Sequence, residues 1–134
     1  MGTPTFHMIK AAPEPVAPFS HAVEIDGWVF VTGQLPIDAA NEAAEIRGEI
    51  EQQTQKVFEN LTAVLRGIGM DLQHVVCARV YLTHFERDYA RMNAAYVSYF
   101  TPGRLPARTC VGVTALARNA LVEIDFVARR PNVA

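Results

Sequence analysis

The chain has 134 residues, half of them hydrophobic and 19% charged, the composition of one ordinary folded domain rather than of a disordered segment. A formal net charge of −2 lacks the basic footprint of a nucleic-acid binder, and no apolar run approaches the length that spans a bilayer. The cations are ten arginines against two lysines, a bias that suits fixed bidentate contacts to carboxylates and that genomic base composition would also produce.

Residues 1–18 hold Pro4, Pro13, Pro15 and Pro18 and read as irregular. They carry no apolar h-region, so no signal peptide is expected. With only Cys77 and Cys110 in the chain, the expected setting is reducing and cytoplasmic. Residues 22–25 and 28–32 are β-prone runs around Asp26-Gly27, a two-residue hairpin signal. Pro36 cannot donate to a ladder and closes that hairpin, and residues 37–47 read as loop. Residues 48–68 carry Ile50, Val57, Phe58, Leu61, Val64, Leu65 and Ile68. From Val57 onward this is helical spacing, with Gly69 as the stop. Residues 75–82 form a bounded β-branched strand. Phe85, Tyr89, Met92, Tyr96 and Phe100 recur every three or four residues as a second amphipathic helix, which Thr101-Pro102-Gly103 ends. Residues 107–113 and 121–128 are the last two strands.

The order β-β-α-β-α-β-β places two helices on one face of a mixed sheet, an α+β fold, with residues 1–134 as one domain. Side chains two apart on a strand share a face. Arg108 and Cys110 therefore point one way, as do Glu123 and Asp125, while Val122, Ile124 and Phe126 form a dry opposite face. The uncovered face is expected to carry Cys77, Arg79 and Tyr81, Arg108 and Cys110, and Glu123 and Asp125. If the last two strands are neighbours, a cation, a thiol and a carboxylate converge into a site for a small acidic molecule. Such a face is too apolar to stay wet, and packing against another copy of the chain resolves that.

Each candidate has a plainer reading. Arg108 either clamps a carboxylate or makes a structural ion pair with Glu123. Cys110 is a pocket-lining thiol or a nucleophile, and no histidine at motif spacing supports the nucleophile. His7, His21, His74 and His84 lack metal-ligand spacing and read as surface residues. No glycine-rich phosphate loop is present.

Gly33-Gln34-Leu35-Pro36, Asn93-Ala94-Ala95-Tyr96, Pro106-Ala107-Arg108-Thr109-Cys110 and Ala120-Leu121-Val122-Glu123-Ile124 resemble the signature segments of the RidA/YjgF family, also called the endoribonuclease L-PSP family, in the family's order. The resemblance implies a chorismate-mutase-like fold and a homotrimer whose sheets form a central barrel with three clefts between subunits. It implies hydrolysis of reactive enamines and imines, such as 2-aminoacrylate, to 2-keto acids and ammonia, with no metal or organic cofactor. By motif position Arg108 clamps the substrate carboxylate, Glu123 orients or activates the attacking water, Cys110 lines the pocket, Gly33 offers backbone groups, and Asn93 holds a signature position. Phe19 and Thr32 join the binding set where many members have Tyr and Ser. Ala17-Pro18-Phe19 resembles the RutC branch, which handles 3-aminoacrylate. A non-catalytic module for small carboxylates or a protein partner is the alternative. An endoribonuclease is disfavoured by the charge and by the lack of an aromatic-basic platform.

Overall fold

Eight regular elements, six strands in one sheet and two helices, make up the fold in the computed structural model, which describes residues 2–132. In chain order they are β1 (Thr5–His7), β2 (Ala22–Ile25), β3 (Trp28–Gln34), α1 (Ile50–Gly67), β4 (Val75–Leu82), α2 (Phe85–Val97), β5 (Ala107–Gly112) and β6 (Val122–Arg129). Two short 3₁₀ turns, Leu72–His74 and Ala117–Asn119, lead into β4 and β6. The strand β1 lies inside the segment expected to be irregular; it pairs antiparallel with β2, Phe6 opposite Val23. Three residues of edge pairing, far from any hairpin turn, leave no local signature.

Local chemistry explains most boundaries. Asp26 and Gly27 both take positive φ, 50° and 82°, as the tight β2–β3 turn requires. Helix α1 opens on a capping box between Glu49 and Gln52. It closes on Gly69 at φ 77°, with the Met70 N–H returning to the Leu65 carbonyl at 2.9 Å and the Gly69 N–H to Arg66 at 3.1 Å. That is a Schellman ending, which glycine adopts at little cost.

The strand order is β1-β2-β3-β6-β4-β5. All pairs are antiparallel except β4–β5, which the α2 crossover makes parallel. So β6 lies between β3 and β4, and β5 is an edge strand whose neighbour is β4, not β6. Both helices cover one face. There Val29, Val31, Ala78, Val80, Leu82, Val122, Ile124, Phe126 and Ala128 pack with Phe58, Leu61, Val64, Leu65 and Met92. Truncating Phe126, 1% exposed, to alanine would cost about 3–5 kcal/mol.

Polar pegs tie the connecting segments to this core. Asn60 on α1 donates to the carbonyls of Leu35 and Ile37 at 2.9 and 2.8 Å. Gln53, two turns earlier, accepts from the Leu121 N–H at 2.8 Å. Arg130 donates two bonds to Glu24, at 2.6 and 2.9 Å, and a third to the Ile68 carbonyl at the end of α1. The uncovered face is crossed by an apolar row, Phe6–Val23–Phe30–Val127–Cys77–Ala107, one residue from each strand.

Candidate functional site

The expected site residues fall into two groups. The first lies where α2 packs beside β5. Arg108 stands opposite Ala78 and Cys110 opposite Val80. Ala78 and Val80 point into the helix-covered core, so Arg108 and Cys110 share that side. The Arg108 guanidinium carbon is 4.8 Å from the Tyr96 ring centre and 5.9 Å from that of Tyr89, a cation lying on aromatic faces. Its hydrogen bond, 3.5 Å to the Tyr89 hydroxyl, is long. Among the described residues no carboxylate pairs with it. Asn93 is one turn from each tyrosine on the same side of α2. Two buried polar atoms here lack a partner, the Asn93 Oδ1 and the Tyr96 hydroxyl. Burial pushes the Cys110 thiol up, with Arg108 pulling the other way. A thiol held protonated suits pocket lining better than nucleophilic attack.

The second group lies at the end of β3. Between Val31 and Gln34 the β3–β6 register slips, so that Thr32 and Gly33 together face one β6 residue as a bulge. Glu123 fills the space above Gly33: a Cβ on that glycine would sit 2.1 Å from the Glu123 Oε2. Burial, reinforced by the Asp125 charge, raises the Glu123 carboxyl above its ordinary pKa. Phe19, 39% exposed, shares a cleft with Gly33, Pro13, Pro15, Val16 and Leu35. The strap carrying Phe19 is held by His21, whose Nδ1 accepts from the Ile9 N–H at 2.8 Å while Nε2 donates to the Pro13 carbonyl at 2.7 Å. His21 is 2% exposed, which corrects its reading as a surface histidine. A ring that both accepts from and donates to backbone is fully used inside the protein.

The expected convergence within one chain is also corrected. Glu123 stands opposite Tyr81 on the uncovered face, and Arg108 stands on the helix side, with β4 between their strands. They are therefore neither a structural ion pair nor a single-chain site. The same geometry separates the cysteines: Cys77 faces Val127 on the uncovered side, and both thiols are free. The face carrying Glu123 also holds Asp125, Arg79, Tyr81 and Cys77, as expected, but not Arg108 or Cys110. Strand parity was readable; the register of β5 against β4 was not, because a crossover helix rather than a turn sets it.

Tyr89, Tyr96, His21 and Asn60 build the site beyond the residues expected from the sequence. The first two were visible as an aromatic stripe on α2. Asn60 shows as a polar residue between the apolar positions of α1, a pattern that signals a buried hydrogen bond. Among the described residues no group of three or more His, Cys, Asp or Glu is placed to hold a metal ion, and no helix is long and apolar enough to cross a membrane.

A six-stranded mixed sheet with both helices on one side, an unpaired arginine at its edge and a glycine-seated glutamate define a small α+β protein of the Rid type. The endoribonuclease L-PSP family model matches residues 9–130, and the chain belongs to this RidA/YjgF family. A RutC family protein of Pyrococcus abyssi is 41% identical over 120 residues, 89% of this chain and 91% of the relative. Among solved structures, RidA of the Antarctic bacterium Psychrobacter superposes with a TM-score of 0.84 at 33% identity, covering 92% of this chain and 98% of that one. TdcF of E. coli, solved with bound serine, superposes equally well, at 0.84 and 26% identity over the same shares of the two chains.

Proposed function

We propose that this protein is a hydrolytic deaminase of reactive enamine and imine intermediates bearing a carboxylate, acting as a homotrimer with its clefts at the subunit seams. The observation that carries the reading is Arg108: a cation held over two aromatic rings with no acidic partner among the described residues. Such a group is preorganised for an incoming carboxylate, which it can grip bidentately. The serine bound to TdcF is a small molecule with that carboxylate.

Arg108 and Glu123 occupy opposite faces, so a complete site needs a second copy to bring the Glu123–Gly33 group of one subunit against the Arg108 group of the next. The apolar row on the uncovered face supports that assembly. Phe6, Trp28 and Phe30 are 67, 43 and 49% exposed in the single chain, a patch that water disfavours. In the composite cleft Arg108 fixes the carboxylate, Asn93 and Cys110 line its pocket, and Gly33 lies under Glu123 with Thr32 beside it in the bulge. Protonation at the enamine carbon gives the imine. Water held by Glu123 adds to the imine carbon, and the resulting carbinolamine expels ammonia to leave a keto acid. The substrate hydrolyses slowly unaided, so positioning and electrostatics supply the acceleration.

The test generates imines in situ from several amino acids and follows keto acid release with and without the protein, alongside light scattering. Faster release from an assembly about three times the 14.8 kDa chain is the expected result, since a heterologous contact that closes forms a ring. A monomer, or unchanged release, refutes the reading. The bound serine of TdcF also favours a second one, a non-catalytic module for small carboxylates. Saturable serine binding without keto acid release would select it.

A further inference from the structure

Beside Glu123 on the uncovered face lies a polar cluster that the cleft chemistry does not use. Asp125, two residues along β6, shares the Glu123 face, and its side chain is 13% exposed. Its Oδ1 accepts from the Arg79 Nε at 2.9 Å and its Oδ2 from the Tyr81 hydroxyl at 3.3 Å. Arg79 is the direct cross-strand partner of Asp125, and Tyr81 that of Glu123. The two rungs therefore interlock: the residue beside Glu123 donates to the carboxylate that repels it. We propose that Arg79, Tyr81 and Asp125 are positioning residues that together set the proton affinity of Glu123.

The physical argument is local. Two carboxylates on one strand face raise each other's proton affinity, and a cation on one of them relieves the other. Arg79 is the lever, because its guanidinium bonds Asp125 rather than Glu123. Burial lifts the Glu123 proton affinity first and the Asp125 charge second. The titratable and charged groups on this face of the flanking strands are Cys77, Arg79 and Tyr81 on β4, with Asp125 and Arg129 on β6 itself; in the proposed trimer Arg108 of the neighbouring subunit also faces Glu123, lowers its proton affinity and does so equally in every variant below. Arg129 lies at the far end of the strand over the Trp28 ring. On β3 the bulge presents Thr32 and Gly33, which carry no charge. In its protonated form Glu123 donates its proton to the enamine carbon and becomes the carboxylate. That carboxylate then takes a proton from the attacking water as the water oxygen bonds to the imine carbon, restoring the acid.

The experiment titrates the full chain by carboxyl carbon NMR, with the Glu123 signal assigned through Glu123→Gln. Asp125→Asn is expected to lower the Glu123 midpoint by about one pH unit, a tenfold change in proton affinity. Arg79→Gln, which leaves Asp125 charged and unrelieved, is expected to raise it, and Tyr81→Phe to raise it by less. The opposite signs are the signature, because general loosening of the fold would move all variants toward the ordinary value. Midpoints that stay put, or that move the same way in Asp125→Asn and Arg79→Gln, overturn the inference. Arg79 lies outside the helix-covered core, so Arg79→Gln opens no cavity there and, with light scattering confirming an unchanged assembly, keeps the test alive if Asp125→Asn folds poorly. The functional arm rests on the deaminase reading: the alkaline limb of the hydrolysis profile follows the same displacements. Midpoints that move as stated in a protein without hydrolysis refute the deaminase reading and leave the network standing.

Discussion

Replacing Gly33 with alanine probes the one close approach that joins the bulge to the glutamate. The new Cβ would lie 2.1 Å from the Glu123 Oε2, 3.0 Å from its Cδ and 3.2 Å from its Cγ. Contact distances above 3 Å demand that the carboxylate move by at least about 1 Å. Two terms act on stability. Alanine restricts the unfolded chain at a site without positive φ, which favours folding by about 0.4–1 kcal/mol. Forcing Glu123 off its rotamer opposes this by about 0.5–1.5 kcal/mol. They nearly cancel, so the denaturation midpoint should scarcely change. The reaction is less forgiving, because an error of about 1 Å in a positioned group costs on the order of 100-fold in rate. The assay pairs urea denaturation with keto acid release from in situ imines, for Gly33→Ala, Glu123→Ala and the double variant. In the Glu123→Ala background the clash is gone, so adding Gly33→Ala should stabilise by about 0.4–1 kcal/mol and lower the residual rate no further. Full activity in Gly33→Ala, or the same change of stability in both backgrounds, would show that the glycine serves the backbone and not the carboxylate.

On the deaminase reading, Arg108 gives the largest functional effect. Arg108→Ala should lose about 2–4 kcal/mol of charge-assisted contact, about 30- to 1000-fold in rate, with light scattering unchanged and Arg108→Lys recovering only part; full activity in Arg108→Ala moves the site elsewhere. Acid stability should depend on Glu24. Its folded pKa is lowered first by the Arg130 hydrogen bonds and then by His7, against the opposing effect of burial. The pair therefore stabilises the protein above the ordinary glutamate pKa, and that contribution is lost as pH falls through the folded value. Glu24→Gln should lower the urea midpoint at pH 7 and leave a flatter acid limb than the parent; parallel acid limbs would exclude the pair as a contributor. Specificity should respond to Phe19, which lines the Gly33 cleft. Apolar walls discriminate by only about 1–3 kcal/mol per methylene, whereas a hydroxyl that bonds substrate discriminates more. Phe19→Tyr should shift relative rates toward 2-aminoacrylate, and unchanged ratios would remove this position from the specificity argument.

Local chemistry was enough to read much of this protein from its residues. Asp26-Gly27 dictates its turn because φ is positive there, Gly69 ends α1 because the chain must turn left-handed, and the span of β4 follows from a bounded β-branched run. Val122, Ile124 and Phe126 were legible as the buried face of β6 because strand side chains alternate with period two. The signature segments carried the family. What tertiary structure alone decided is who stands beside whom. The insertion of β6 between β3 and β4 separates Arg108 from Glu123, and the α2 crossover sets the β5 register that turns Arg108 toward the helices. Neither depends on residues adjacent in sequence. The same holds for β1, whose pairing with β2 spans the strap between them, and for His21, buried because that strap folds back over it. It holds for Gly33, whose missing side chain makes sense only once the carboxylate of a residue far along the chain lies above it. Long-range pairings depend on the balance of the whole core, and a pattern read along one strand cannot contain them.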